Sequence, residues 1–140
     1  MATLTLVNSF KETVFEKVHN LGSDTLKVVL TNSAPATSNT VLTDITQIAG
    51  ANGYTTGGSA LTISSSAQSS GTYKLVVADL TFTASGGTMG TFRYAVYYND
   101  TATNDELIGY LDYGSAVSLL DGQQFTLDHD ATNGLLQASG

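Results

Sequence analysis

The stretch that most constrains the fold runs from Phe92 to Tyr113, FRYAVYYNDTATNDELIGYLDY. Read with a period of two, Phe92, Tyr94, Val96 and Tyr98 fall on one side of an extended chain. Arg93, Ala95 and Tyr97 fall on the other. A second run puts Leu107, Gly109, Leu111 and Tyr113 on one face, with Ile108, Tyr110 and Asp112 opposite. The polar segment between the runs predicts a hairpin with a loop longer than the tight two-residue type. Five of the seven tyrosines lie here, so this hairpin is expected to form the centre of a β core.

The flanking sequence supplies short strands and turns. Residues 2–7 alternate and predict a short edge strand. NSFKETVFEKVHNLG predicts a helix or arm over 8–21, with an apolar stripe of Phe10, Val14, Val18 and Phe15. Ser9 and Glu12 have the spacing of a capping box, and Gly22 supplies a stop. Leu26, Val28 and Leu30 alternate through a strand. Residues 40–58, with turn pairs at Asn52-Gly53 and Gly57-Gly58, read as a long loop excursion of the kind that carries binding surfaces. SALTISSS and TYKLVVADLTFTA predict strands joined by a hairpin across Gln68–Gly71. A one-residue slip near Asp79 has the pattern of a bulge or bend. Val117/Leu119 and Phe125/Leu127 flank Asp121-Gly122, the clearest hairpin signal in the chain. Leu135 and Leu136 predict either a final strand or a frayed tail.

Eight or nine short strands with one short N-terminal helix, and no helical crossovers, predict a single all-β domain over 1–140. A jelly-roll-like two-sheet sandwich is the first expectation, a barrel the second, and an immunoglobulin-like sandwich stays open because strand order is not visible.

Charge narrows the partners. The chain carries a formal −7, of which residues 71–140 hold −6. That argues against a nucleic-acid surface, which needs clustered Lys and Arg, and against anionic lipid. No apolar run approaches the roughly 18 residues of a spanning helix, and the N-terminus lacks a signal-peptide core. Cysteine is absent, which excludes disulfides and thiolate chemistry. Serine and threonine occupy 35 of 140 positions, giving a polarity that suits strands and crowded protein surfaces.

Catalytic and metal signals are weak. His19 is expected at the end of the helix, where an imidazolium is electrostatically favoured. His129 lies between Asp128 and Asp130, which fall on the opposite strand face and do not converge with it. Asp112 is a further acid that the fold could bring beside them as one weak metal site, but the spacing matches no tetrahedral zinc pattern. The acids at 100, 105 and 106 lack the oxygen-ligand spacing of a calcium loop. NGYTTGG and SGGTMG lack the Lys-Ser/Thr of a phosphate loop. Asn99-Asp100-Thr101 matches a glycosylation acceptor in form only. The tyrosines suit a core, an interface or a sugar platform. The residues call for no catalytic group, cofactor or metal.

In combination, SDTLKVVLTNSAP, LTDITQIAGANGYTTGG, SSGTYKLVVADLTFTASGG, FRYAVYYND and LIGYLDYG resemble a group of small virion structural proteins of tailed bacteriophages. The resemblance covers about residues 8–130. It implies a capsid decoration or cement protein with a jelly-roll-like fold, homodimeric or homotrimeric, bridging major capsid subunits on the outer surface of the head. Tail, connector or baseplate positions are alternatives within the virion. Interface candidates are Phe10, Phe15, Tyr54, Tyr97 and Tyr110. A carbohydrate- or receptor-binding module predicts tyrosine rings exposed in a shallow cleft. A hydrolase requires Asp112, Asp128 and Asp130 to converge.

Overall fold

A computed structural model describes residues 3–139. The chain forms β1 (Thr5–Leu6), α1 (Phe10–Phe15), β2 (Leu26–Thr31), β3 (Ser59–Ala60), β4 (Ile63–Ser69), β5 (Thr72–Val77), β6 (Leu80–Thr83), β7 (Phe92–Asn99), β8 (Leu107–Val117), β9 (Gln124–Leu127) and β10 (Leu136–Ser139). A 3-10 turn spans Leu42–Asp44. The architecture is an all-β sandwich. Among the described residues its strands form open antiparallel groups ordered β1-β8-β7-β2-β3, β10-β5-β4 and β6-β9, and none closes into a barrel.

The predicted central hairpin is present as β7 and β8, with Val96 opposite Tyr110 and Ala95 opposite Leu111. β2 completes the middle of the sheet by pairing with β7 from Leu26↔Asn99 to Thr31↔Tyr94. Val28, Val29, Leu30 and Thr31 are all 0% exposed. Neighbouring strand residues point to opposite faces, so such a run requires cover on both sides.

Residues 40–58 supply part of that cover. Ile48 N–H donates to the Leu30 carbonyl at 3.0 Å. Tyr54 is buried, and its hydroxyl accepts from Leu30 N–H and donates to Gln47 Oε1. Tyr98 donates to the Gly57 carbonyl. The segment expected as an excursion is thus clamped onto the sheet through its inner side chains, because the central strands need a second apolar layer. Thr43, Asp44 and Thr46 remain exposed.

The helix is shorter than the 8–21 read from sequence. Lys17 takes a positive φ of 69°, and Val18 N–H donates back to the Thr13 carbonyl at 2.9 Å. That is a Schellman-type ending with Lys17 in the position usually taken by glycine, five residues before Gly22. Ser9 makes no side-chain cap hydrogen bond, so the expected capping box is not formed.

The Gln68–Gly71 hairpin is found, with Ser70 and Gly71 both at positive φ as a tight two-residue turn requires. The Asp121-Gly122 turn exists, but it does not join paired strands. β9 pairs with β6, from Leu80↔Leu127 to Thr83↔Gln124, and β8 pairs with β7. Near Asp79 the chain leaves one sheet for another instead of bulging within a strand. The final strand pairs with β5.

Candidate functional site: an aromatic cleft beside a broken ladder

At the Phe92 end of the central hairpin the ladder breaks. Tyr94 pairs with Asp112, yet Phe92 pairs with Val117, so β8 inserts extra residues there. Gly114 adopts φ 96° and donates its N–H to Asp112 Oδ1 at 2.8 Å. This detour leaves Tyr113 without a partner in the β7–β8 ladder, and its side chain is 58% exposed. Its ring meets Phe125 edge-on, with centroids 5.1 Å apart. Phe125 meets Phe92 in the same manner, also at 5.1 Å.

The result is a cleft of about 320 Å³ between the central sheet and the β6–β9 ribbon. Leu30, Leu111 and Leu127 line it together with the aromatic rings. Arg93 and Asp128 supply polar groups in the lining. Arg93 donates from Nε and Nη2 to the two oxygens of Asp112, at 2.8 and 3.0 Å. Its guanidinium carbon stands 5.3 Å from the Tyr94 ring centroid. The bidentate guanidinium, helped by Gly114 N–H, holds the Asp112 carboxyl below the usual carboxylate range, and the same pairing raises Arg93. An apolar floor with a few directional polar groups suits a flat apolar or amphipathic group.

Two further acids, Asp130 and Asp44, have structural tasks. Asp130 accepts from the Thr132 and Asn133 N–H groups and from Asn133 Nδ2, and the Asn133 N–H is the foremost cause of its lowered pKa. Asp44 likewise accepts from Thr40 and Val41 N–H, which lowers its pKa. Asp128 and Asp130 are exposed while His129 is buried, as their alternation predicts. Asp112 is held by Arg93. No group of three His, Asp or Glu side chains able to hold a metal ion is found among the described residues.

Both histidines are interior. His129 donates from Nδ1 to the Ala78 carbonyl at 2.8 Å, which leaves Nε2 to accept from the Tyr97 hydroxyl, also at 2.8 Å. Its backbone N–H donates to Asp79. Burial lowers its pKa and raises that of Tyr97. His19 lies beyond the shortened helix, packed on Phe10 and accepting from Asn99 Nδ2 at 3.1 Å. Desolvation lowers its pKa, so the imidazolium expected at a helix end is replaced by a neutral core ring. Asn99 is buried and also donates to Asp24, so the glycosylation pattern it heads is not presented at the surface.

The five interface candidates divide. Phe10, Tyr54 and Tyr97 are buried within the chain and cannot meet another molecule without unfolding their surroundings. Their apolar bodies fill the core, and the two hydroxyls are spent on internal partners. Tyr110 is half-buried, and Phe15 is 89% exposed. Sequence reading missed Phe125 and Tyr113 as a pair, because their meeting depends on β9 leaving β8 for β6. Comparison with family models, curated proteins and solved structures finds no match to this chain.

Proposed function

We propose that the chain is a non-enzymatic structural protein of a tailed-phage virion, a decoration or cement subunit that binds the major capsid protein on the outer surface of the head. The observation that carries this reading is the outward face of the β10-β5-β4 sheet. Ser65, Ala67, Ser69, Thr72 and Gln137 lie along one broad, shallow surface. Lys74, the only charged residue in the three strands, donates to the Thr132 carbonyl. A flat, hydroxyl-rich, nearly uncharged face is cheap to desolvate against another polar protein surface. Repetition over a lattice multiplies modest contacts. The sequence blocks that resemble virion proteins support the same reading.

Cryo-electron microscopy of particles displaying this chain tests it. Regular density of this shape bridging major capsid subunits is the expected result. Density confined to tail, connector or baseplate retains the virion and removes the capsid role, and particles without it overturn the reading.

The aromatic cleft favours a second reading, a carbohydrate- or receptor-binding module. Tyr94, Tyr113 and Phe125 offer ring faces, and Arg93 and Asp128 offer hydrogen bonds to hydroxyl groups. Glycan-array binding that Tyr113→Ala abolishes supports it, and unchanged binding removes the cleft from the account.

A further inference from the structure

We infer that β4 is a self-association edge, pairing antiparallel with β4 of a second copy so that two three-stranded sheets join into one of six strands. Open strand edges attract other strands, and soluble proteins blunt them with charge, proline, bulges or brevity. Most open edges of this molecule are blunted. β1 and β3 are two residues long, β10 has four, and β6 and β9 have four each beside Asp79 and Asp128. β4 has seven residues, ISSSAQS, with no charge and no proline. A register irregularity is confined to its start, between Ile63 and Ser65.

Its geometry is self-complementary. The Ser70-Gly71 turn makes Ser69 and Thr72 a hydrogen-bonded pair, and antiparallel alternation then turns the backbone groups of Ser66 and Gln68 away from β5. A two-fold axis at Ala67 places Ser66 of one copy opposite Gln68 of the other, each exchanging N–H and C=O. Ala67 then faces its own copy in a close, non-hydrogen-bonded pair.

Charge selects a second copy as the occupant. Two molecules of net −7 repel each other, yet residues 45–78 contain no acid, the longest such run in the chain. β4 lies in its middle and carries no charge of its own, so two copies of the strand set no like charges against each other across the seam. Phe15, the most exposed large apolar side chain among the described residues, lines the shallow groove that also contains Ser66 and Tyr73. This deepens the homo-oligomeric part of the virion reading without depending on it, since the edge is a property of the isolated chain.

The natural absence of cysteine makes the test clean. Analytical ultracentrifugation of the purified chain is expected to give a dimer mass. Ala67→Cys is expected to cross-link to its own copy on mild oxidation, whereas Phe15→Cys cross-links poorly. Ala67→Lys sets two like charges face to face across the axis and is expected to give the monomer mass while keeping the folded β circular-dichroism spectrum of the parent. A wild-type monomer overturns the inference, including one that pairs only with a virion protein. So does a dimer that persists in Ala67→Lys or fails to cross-link at position 67. A dimer with these properties stands even if particles show no density for the chain.

Discussion

The Tyr97 hydroxyl and His129 Nε2 lie 2.8 Å apart inside the sandwich, with their rings edge-on at 5.9 Å between centroids. Together with the Ala78 carbonyl on Nδ1 they tie β7 to the segment after β9 and the end of β5. Tyr97→Phe removes the hydroxyl that donates to Nε2 and leaves a buried acceptor unpaired. The expected loss is about 1–3 kcal/mol, read as a lower urea midpoint with an unchanged slope. Nitrogen-15 NMR of the wild type is expected to show the Nδ1-protonated tautomer. A variant as stable as the parent sinks the account of this bond.

Both histidines have lowered pKa values because burial disfavours the cation. Protons therefore bind the unfolded chain more readily than the folded one. The stability this contributes is complete above the ordinary value of 6.5 and is lost as pH falls from there through the folded values. Asp44, Asp112 and Asp130 also have lowered values, but their stabilisation is lost only below the ordinary carboxylate value of 3.8. Denaturation midpoints measured against pH are expected to begin falling near neutrality, ahead of the carboxylate range. A plateau down to the carboxylate range contradicts the burial of neutral imidazoles.

Gly58 and Gly71 both have positive φ, 76° and 83°, yet their surroundings differ. A Cβ at Gly58 would stand 1.8 Å from the Val28 carbonyl oxygen, whereas one at Gly71 meets nothing within 4 Å. Gly71→Ala is expected to cost only the left-handed backbone penalty, about 1–2 kcal/mol. Gly58→Ala is expected to cost about 3 kcal/mol or more, because the clash separates the 40–58 segment from β2. Thermal melts of the two variants measure the difference, and equal losses contradict the clamped loop.

The cleft rings separate stability from recognition. Phe125→Ala removes a half-buried ring that touches Phe92 and Tyr113, and is expected to cost about 2–3 kcal/mol. Tyr113→Ala removes a mostly exposed ring, and is expected to change stability by less than about 1 kcal/mol. If the cleft receives a ligand or partner, Tyr113→Ala weakens that binding while the melt stays near the parent's. A large stability loss in Tyr113→Ala assigns the ring to the scaffold.

The sequence by itself determined the all-β class, the central Tyr-rich hairpin, the Ser70-Gly71 turn and the divergence of His129 from its flanking acids. Each follows from local signals: two-residue periodicity, a turn pair that accepts positive φ, and alternation of side chains. Only the tertiary structure decided what those elements meet. Whether β9 pairs with β8 or β6 depends on contacts between distant residues, so the Asp121-Gly122 turn pointed to the wrong partner. α1 stops at Phe15 because the Thr13 carbonyl captures Val18, while His19 and Phe10 pack together in the core. Tyr54 and Tyr97 became core and Tyr113 surface for the same reason. Tyrosine suits either place, and the choice falls to whichever backbone groups and rings the chain brings within reach.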